Sequence, residues 1–229
     1  MTQPAAPGPH RARQERGQRR VDAILDAAAA CIAEAGIAAV TMHGVARRSG
    51  TTTGSMYHFF PDRDALLREL AARHAQRLRE LAARVERESA AEWSGLSTPA
   101  AVDRFLDPFL TYIDRHPDFP PVARHARGAG WAAERDSELD RQAVRLAEAV
   151  VASRCPDATT AERAARARAM TAMAEGVVRA TAPVAGPADD EASPTVLRRE
   201  LRRALVAYLE SYAAPGPPPV GAPHGGAGA

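Results

Sequence analysis

The stretch Thr41–Leu67, TMHGVARRSGTTTGSMYHFFPDRDALL, constrains this chain more than any other. Two short helical patterns flank Ser49-Gly50. Thr41 can cap the first, ahead of the apolar Met42, Val45 and Ala46, and the second places Met56 and Phe60 four residues apart on one face. Gly50 falls where two steeply crossed helices need one residue at positive φ, which glycine adopts without a Cβ clash. The pattern is that of a helix-turn-helix.

The second helix opens on small side chains, Thr51, Thr52, Thr53, Gly54 and Ser55, and then presents Tyr57 and His58 beside the apolar Met56. Short side chains let a helix N-terminus approach phosphates and base edges, while Thr, Tyr and His supply hydrogen bonds and methyl contacts. An αα-hairpin with a Thr-rich turn and no nucleic-acid role fits the same spacing.

Gly50-x-x-x-Gly54-Ser55-Met56-Tyr57-His58-x-Phe60, followed by Pro61-Asp62-Arg63-Asp64-Ala65-Leu66, resembles the recognition segment of TetR-family transcriptional regulators. The likeness runs over about residues 18 to 70. Arg63 stands where the family usually has Lys, Ser49 where it more often has Ala, and Phe59 where it often has His or Tyr. The resemblance implies an all-α homodimer of about nine helices. An N-terminal three-helix helix-turn-helix domain would bind double-stranded operator DNA, and a C-terminal helical domain would bind ligand and dimerise. Thr41, His43, Thr51, Thr52, Thr53, Gly54, Ser55, Tyr57, His58 and Arg63 are then the expected DNA-contacting set. Repression relieved by a small-molecule effector is the usual outcome in the family.

Charge is placed consistently with that reading. Net charge is only +2, yet residues 1–60 hold seven arginines against four acids, and the remainder is close to neutral. The basic end is the helix-turn-helix end. The chain has no lysine, and its Ala, Gly, Pro and Arg content suggests G+C-rich coding. Cys31 and Cys155 are far apart and are expected to be reduced thiols. No apolar run approaches the ~20 residues needed to span a bilayer, and the Pro- and Arg-rich N-terminus has no apolar signal core. A cytoplasmic protein without membrane contact is expected.

In chain order, residues 1–17 contain three prolines and the basic residues His10, Arg11, Arg13 and Arg16, and read as a disordered basic arm. Such an arm either solubilises or reaches along DNA. Val21, Ile24, Leu25, Ala28, Ile32 and Ala35 form an apolar helical stripe that Gly36 ends, completing a head over residues 18–64. Leu67, Leu70, Ala71, His74, Leu78, Leu81 and Val85 continue at helical spacing as a long rod into a body spanning 65–213. Ser94-Gly95-Leu96-Ser97 breaks the rod, and Thr98-Pro99 starts a helix that Pro108 should kink. A short sixth helix, a seventh over 133–154, an eighth over Thr160–Ala182 and a ninth over Pro194–Ala213 follow. Pro183–Ser193 reads as a loop and residues 214–229 as a disordered tail.

The candidate ligand-binding set is His74, Phe105, Phe109, Tyr112, Trp131, Met170 and Met173, large apolar or polarisable groups that plain core packing would explain equally well. A core role is favoured for His74 in particular. Met173, Val177, Leu201, Leu205 and Tyr208, on the last two helices, are the candidate dimer interface, since the resemblance implies that these two helices, doubled by a two-fold axis, make a four-helix bundle. No phosphate-binding Gly-rich loop, nucleophile elbow or metal-spaced cluster occurs, so neither catalysis nor a cofactor is expected. The competing reading is a helical adaptor module that lacks specific DNA binding.

Overall fold

The computed structural model describes residues 9–89, 92–131, 136–180 and 194–213. Among these are nine α-helices: α1 (Pro9–Ala35), α2 (Met42–Arg48), α3 (Thr53–Phe59), α4 (Arg63–Ser89), α5 (Thr98–Arg115), α6 (Phe119–Gly128), α7 (Asp136–Arg154), α8 (Thr160–Ala180) and α9 (Pro194–Ala213). Two 3-10 turns, Ile37–Ala39 and Trp93–Gly95, join them. The described residues contain no strand, as the helical periodicities require.

Helix α1 starts earlier than expected. Pro9 to Gly17 is helical, which corrects the disordered arm for those residues; residues 1–8 lie outside the described part. The physical reason is local: proline is well tolerated in a first helical turn, and Arg, Gln and Ala are strong helix formers. The expected loop 183–193 and the tail 214–229 also fall outside the described residues.

Two cores organise the chain. The head core gathers Ile24, Leu25, Ala28 and Ile32 of α1, Val45 and Ala46 of α2, Met56 of α3 and Phe60. It also takes Leu66, Leu67 and Leu70 from α4 and Val122 from α6, so a domain boundary at residue 64 divides a continuous core. The body core runs from Val85 and Trp93 through α5, α7 and α8 to Leu201, Leu205 and Leu209 of α9. Burial of this kind stabilises by about 25 cal/mol per Å² of apolar surface, and α4 contributes to both cores.

Side chains fix the breaks between helices. Asp62 Oδ1 accepts from the Ala65 amide at 2.7 Å and opens α4. Ser97, rather than Thr98, caps α5 by accepting from the Ala100 amide at 3.4 Å, with Pro99 in the first turn. Helix α5 continues through Pro108 as one helix. Arg154 near the end of α7 donates to the Leu96 carbonyl at 2.5 Å and to the Trp93 carbonyl, which ties the 3-10 turn to the body. Arg202 pairs with Asp103 and Asp107, and Arg198 with Asp114, along the seam between α9 and α5.

Candidate nucleic-acid interface and ligand cavity

The turn between α2 and α3 is held by backbone geometry that begins with glycine. Gly50 has φ of 66°, its amide reaches the Arg47 carbonyl, and the Thr51 amide reaches Ala46 O at 2.9 Å. These two bonds close the C-terminal end of α2 in a Schellman motif, which needs a left-handed residue at this position. The expected hinge is therefore present. At the other end of α2, Thr41 Oγ1 accepts from the Gly44 amide at 3.0 Å, the predicted cap. Gly44 leaves that cap undisturbed, since a Cβ on it would lie 2.9 Å from the same Oγ1 and the hydroxyl would have to shift.

Helix α3 divides its side chains cleanly. Met56 is fully buried in the head core, whereas Thr53, Gly54, Tyr57 and His58 face outward, with Tyr57 51% exposed. A Cβ at Gly54 would meet nothing within 4 Å. Thr52 caps the helix by accepting from the Ser55 amide at 3.2 Å. Thr41 and His43 are exposed at the start of α2, and Ser55 is half-buried. Together they form a surface of hydroxyl, imidazole and phenol groups around a helix N-terminus, suited to phosphates and base edges.

Two members of the expected DNA-contacting set are placed otherwise. Thr51 is buried, because its amide closes the turn and its side chain follows the backbone inward. Arg63 is committed inside the head: its guanidinium donates to Val40 O at 2.9 Å and to Ile37 O at 2.6 Å. Ile37 O also accepts from the Val40 amide at 3.3 Å, and the basic residue at this step adds side-chain bonds that staple α4 to the turn after α1.

A cavity of about 290 Å³ opens in the body between α4, α5, α6, α7 and α8, with Leu201 of α9 also at its wall. Its walls are Ala71, Ala75 and Leu78 from α4, Phe105, Phe109 and Ile113 from α5, Phe119, Val122 and Ala126 from α6, and Ala174 and Val178 from α8. Charged groups, Arg124, Arg127, Asp140, Glu175 and Arg179, also line it. Of the expected ligand-binding set, Phe105, Phe109 and His74 line this cavity, and the structure moves the other four away from it.

Each of those corrections has its own cause. Trp131 lies on the head core, because Gly130 at φ 70° turns the chain back after α6; the Arg68 guanidinium lies 4.9 Å from its ring centre and His125 meets it edge-on. Met170 is fully buried in the body core, and Met173 packs half-buried against the same core. Tyr112 is turned to His74, with its hydroxyl 2.7 Å from Nδ1. His74 itself is 1% exposed, and its Nε2 is 2.8 Å from Asp118 Oδ2. Both ring nitrogens therefore have protein partners, the hydrogen-bonded core role.

The polar cluster has shifted acid–base properties. Burial acts most strongly on Asp118 and opposes its charge, but the hydrogen bond and charge of His74 prevail, and the carboxyl is held below its usual range. Burial and then the neighbouring His74 push His116 down. Burial pushes the Tyr112 phenol up to about 12, so it is protonated at neutral pH.

The candidate dimer set also divides. Leu201 and Leu205 are buried in their own body core and are not available to a second subunit. Met173, Val177 and Tyr208 are half-buried. Helical register explains the correction, because Leu201, Leu205 and Leu209 recur every four residues and all turn inward. Sequence periodicity identifies that stripe but not which neighbour receives it.

A helix-turn-helix head with an outward-facing second helix, joined by a long helix to an all-α body, defines a class of DNA-binding regulatory proteins. Residues 24–70 match the family described as bacterial regulatory proteins, tetR family, and residues 97–209 match the tetracyclin repressor-like C-terminal domain. The chain belongs to the TetR family of transcriptional regulators. Similar solved structures include a TetR transcription regulator from Haloarcula marismortui, with TM-score 0.64 and 15% identity over 85% of this chain and 98% of that one. A TetR-family regulator from Streptomyces coelicolor has TM-score 0.54 and 22% identity over 84% and 99%. A TetR-like regulator from Rhodococcus sp. RHA1 has TM-score 0.57 and 21% identity over 84% and 94%. At these identities the likeness is one of fold. Among curated proteins, none matches the chain. No described helix is long and apolar enough to cross a membrane.

Proposed function

We propose that this regulator binds a two-fold-symmetric operator as a homodimer, through the exposed face of α3 and the start of α2, and represses until a hydrophobic small molecule occupies the body cavity. The observation that carries the reading is a shared wall. Val122 of α6 lines the cavity and also belongs to the head core, while α4 passes from that core along the same cavity. A ligand that fits better when α6 is displaced shifts the head by the same contact, and only such a difference in affinity moves the equilibrium.

The dimer interface in this reading is the outward side of α8 and α9. Ala165 and Ala172 on α8, and Ala204 and Ala207 on α9, are exposed next to half-buried Met173, Val177 and Tyr208. Small side chains allow close approach of a second pair of helices, and the half-buried ones supply apolar area. Thr53, Gly54, Tyr57 and His58 would then enter the groove, with Thr41, His43, Thr52 and Ser55 beside them.

The test is operator affinity with and without a ligand found by thermal-shift screening. About 1.4 kcal/mol of coupling weakens the operator complex tenfold. Phe109→Ala should keep unliganded operator affinity and raise the ligand concentration needed for release. A ligand that binds the cavity, as shown by loss of its thermal shift in Phe109→Ala, and yet leaves operator affinity unchanged would contradict the reading.

A further inference from the structure

Helix α1 extends well beyond the core that holds it. Its first half-buried apolar anchor is Val21 and its first fully buried residue is Ile24, whereas none of residues 14–20 is buried. A Cβ on Gly17 would meet nothing within 4 Å. Residues 14–20 thus form about two turns, ~10 Å long at 1.5 Å per residue, in which no side chain is buried. Such a segment gains little from propensity alone and would ordinarily fray.

Its composition is one-sided in charge. Between Pro9 and Arg20 the sequence has five arginines and one acid, Glu15. Arg19 lies 4.0 Å from Glu15, and Arg16 is exposed and makes no ion pair with a described residue. Helical spacing sets Arg13, Arg16 and Arg20 on one stripe, three and then four residues apart, whereas Arg11 falls on the opposite side and Arg19 about a quarter turn away.

The stripe points somewhere definite. Arg20 Nη1 comes within 3.5 Å of Ser55 Oγ in the first turn of α3, so the stripe runs up to the end of the helix that carries the outward Thr53 and Gly54. A polyanion seated on α3 would therefore continue past Arg20 toward Arg16 and Arg13. We infer that the N-terminal half of α1 is a second DNA-contacting element, a basic helix that lays Arg13, Arg16 and Arg20 along the phosphate backbone flanking the groove entered by α3. This rests on the DNA-binding reading above. Phosphate contacts of this kind add affinity and set orientation without reading sequence.

The experiment compares two variants of the full chain that remove equal charge, Arg13→Gln with Arg16→Gln on the stripe, and Arg11→Gln with Arg19→Gln off it. Glutamine is close to arginine in helix propensity, so the helix is retained. The measurement is operator affinity from low to high salt. Each phosphate contact contributes about 0.9 to the slope of log affinity against log salt, so the stripe variant, altered twice in each of two subunits, should lose about 2 to 4. The off-stripe variant should lose less than about 1. The preference for operator over random DNA should be unchanged in both. Equal losses in the two variants, or no loss in the stripe variant, would overturn the inference while leaving the interface on α3 intact. Absence of operator binding by the unaltered protein would instead overturn the DNA-binding reading and this inference with it.

Discussion

The imidazole of His74 on α4 is 2.8 Å from the carboxylate of Asp118, the residue that begins α6. The pair joins the helix that leaves the head to the helix whose Val122 enters the head core, and both partners are buried. Removing one partner leaves the other buried without its hydrogen bond, which typically costs 1–3 kcal/mol. Asp118→Ala should therefore lower the unfolding free energy by about 2 kcal/mol, and Asp118→Asn, which keeps an acceptor oxygen, by less. Urea unfolding of the two variants checks the order.

The same cluster sets an expectation for pH. Asp118 has a depressed folded pKa, so its contribution is complete above its unfolded value and is lost as pH falls through the folded one. His116 is also depressed in the folded state, so the unfolded chain takes up that proton first, and stability falls as pH drops below about 6.5. The urea midpoint should therefore decline in two stages on acidification, the first beginning below about pH 6.5 and the second below about pH 4. His116→Gln should flatten the first stage and leave the second.

At the helix-turn-helix, two glycines are predicted to resist substitution for different reasons. Gly44→Ala places a methyl 2.9 Å from Thr41 Oγ1 and disrupts the cap, a loss of about 1 kcal/mol. Gly50→Ala meets open space but must hold φ of 66°, a strain of about 1–2 kcal/mol. Thermal unfolding measures both, and adding Thr41→Ala should remove most of the penalty of Gly44→Ala but none of that of Gly50→Ala.

How much of this was legible in the sequence follows from the range of the interactions. Thr41 as a cap, Gly50 at positive φ and the buried Met56 are decided within a few residues, so spacing alone predicts them. The role of Arg63 is not legible in local spacing, because its partners, the Ile37 and Val40 carbonyls, lie 26 and 23 residues earlier and meet it only once the head folds. The cavity forms only where several helices meet, and composition, which groups Trp131 with its aromatic lining, does not reveal that Gly130 returns the chain to the head. The spacing of Leu201 and Leu205 marks an apolar stripe, yet a stripe does not say whether its own body or a second subunit covers it.

That distinction gives a prediction about assembly. Leu205→Ala should destabilise the subunit itself by about 2–5 kcal/mol, since it empties a fully buried site. Ala207→Arg, on the exposed side of the same helix, should leave the fold intact and shift the protein from dimer to monomer. Sedimentation analysis with circular dichroism separates the outcomes. A folded Ala207→Arg dimer would place the interface elsewhere.

Selection of binding sites from random duplex DNA by the purified protein tests the central claim most directly. Two α3 helices related by a two-fold axis must meet major grooves about 34 Å apart. The account predicts enrichment of an inverted repeat whose half-sites are centred about one helical turn or a multiple apart, a changed consensus for Thr53→Ala, and for Tyr57→Phe a weaker affinity with the consensus unchanged. Failure to enrich any sequence, or an enriched site whose consensus and affinity are the same for Thr53→Ala and Tyr57→Phe as for the unaltered protein, would contradict it.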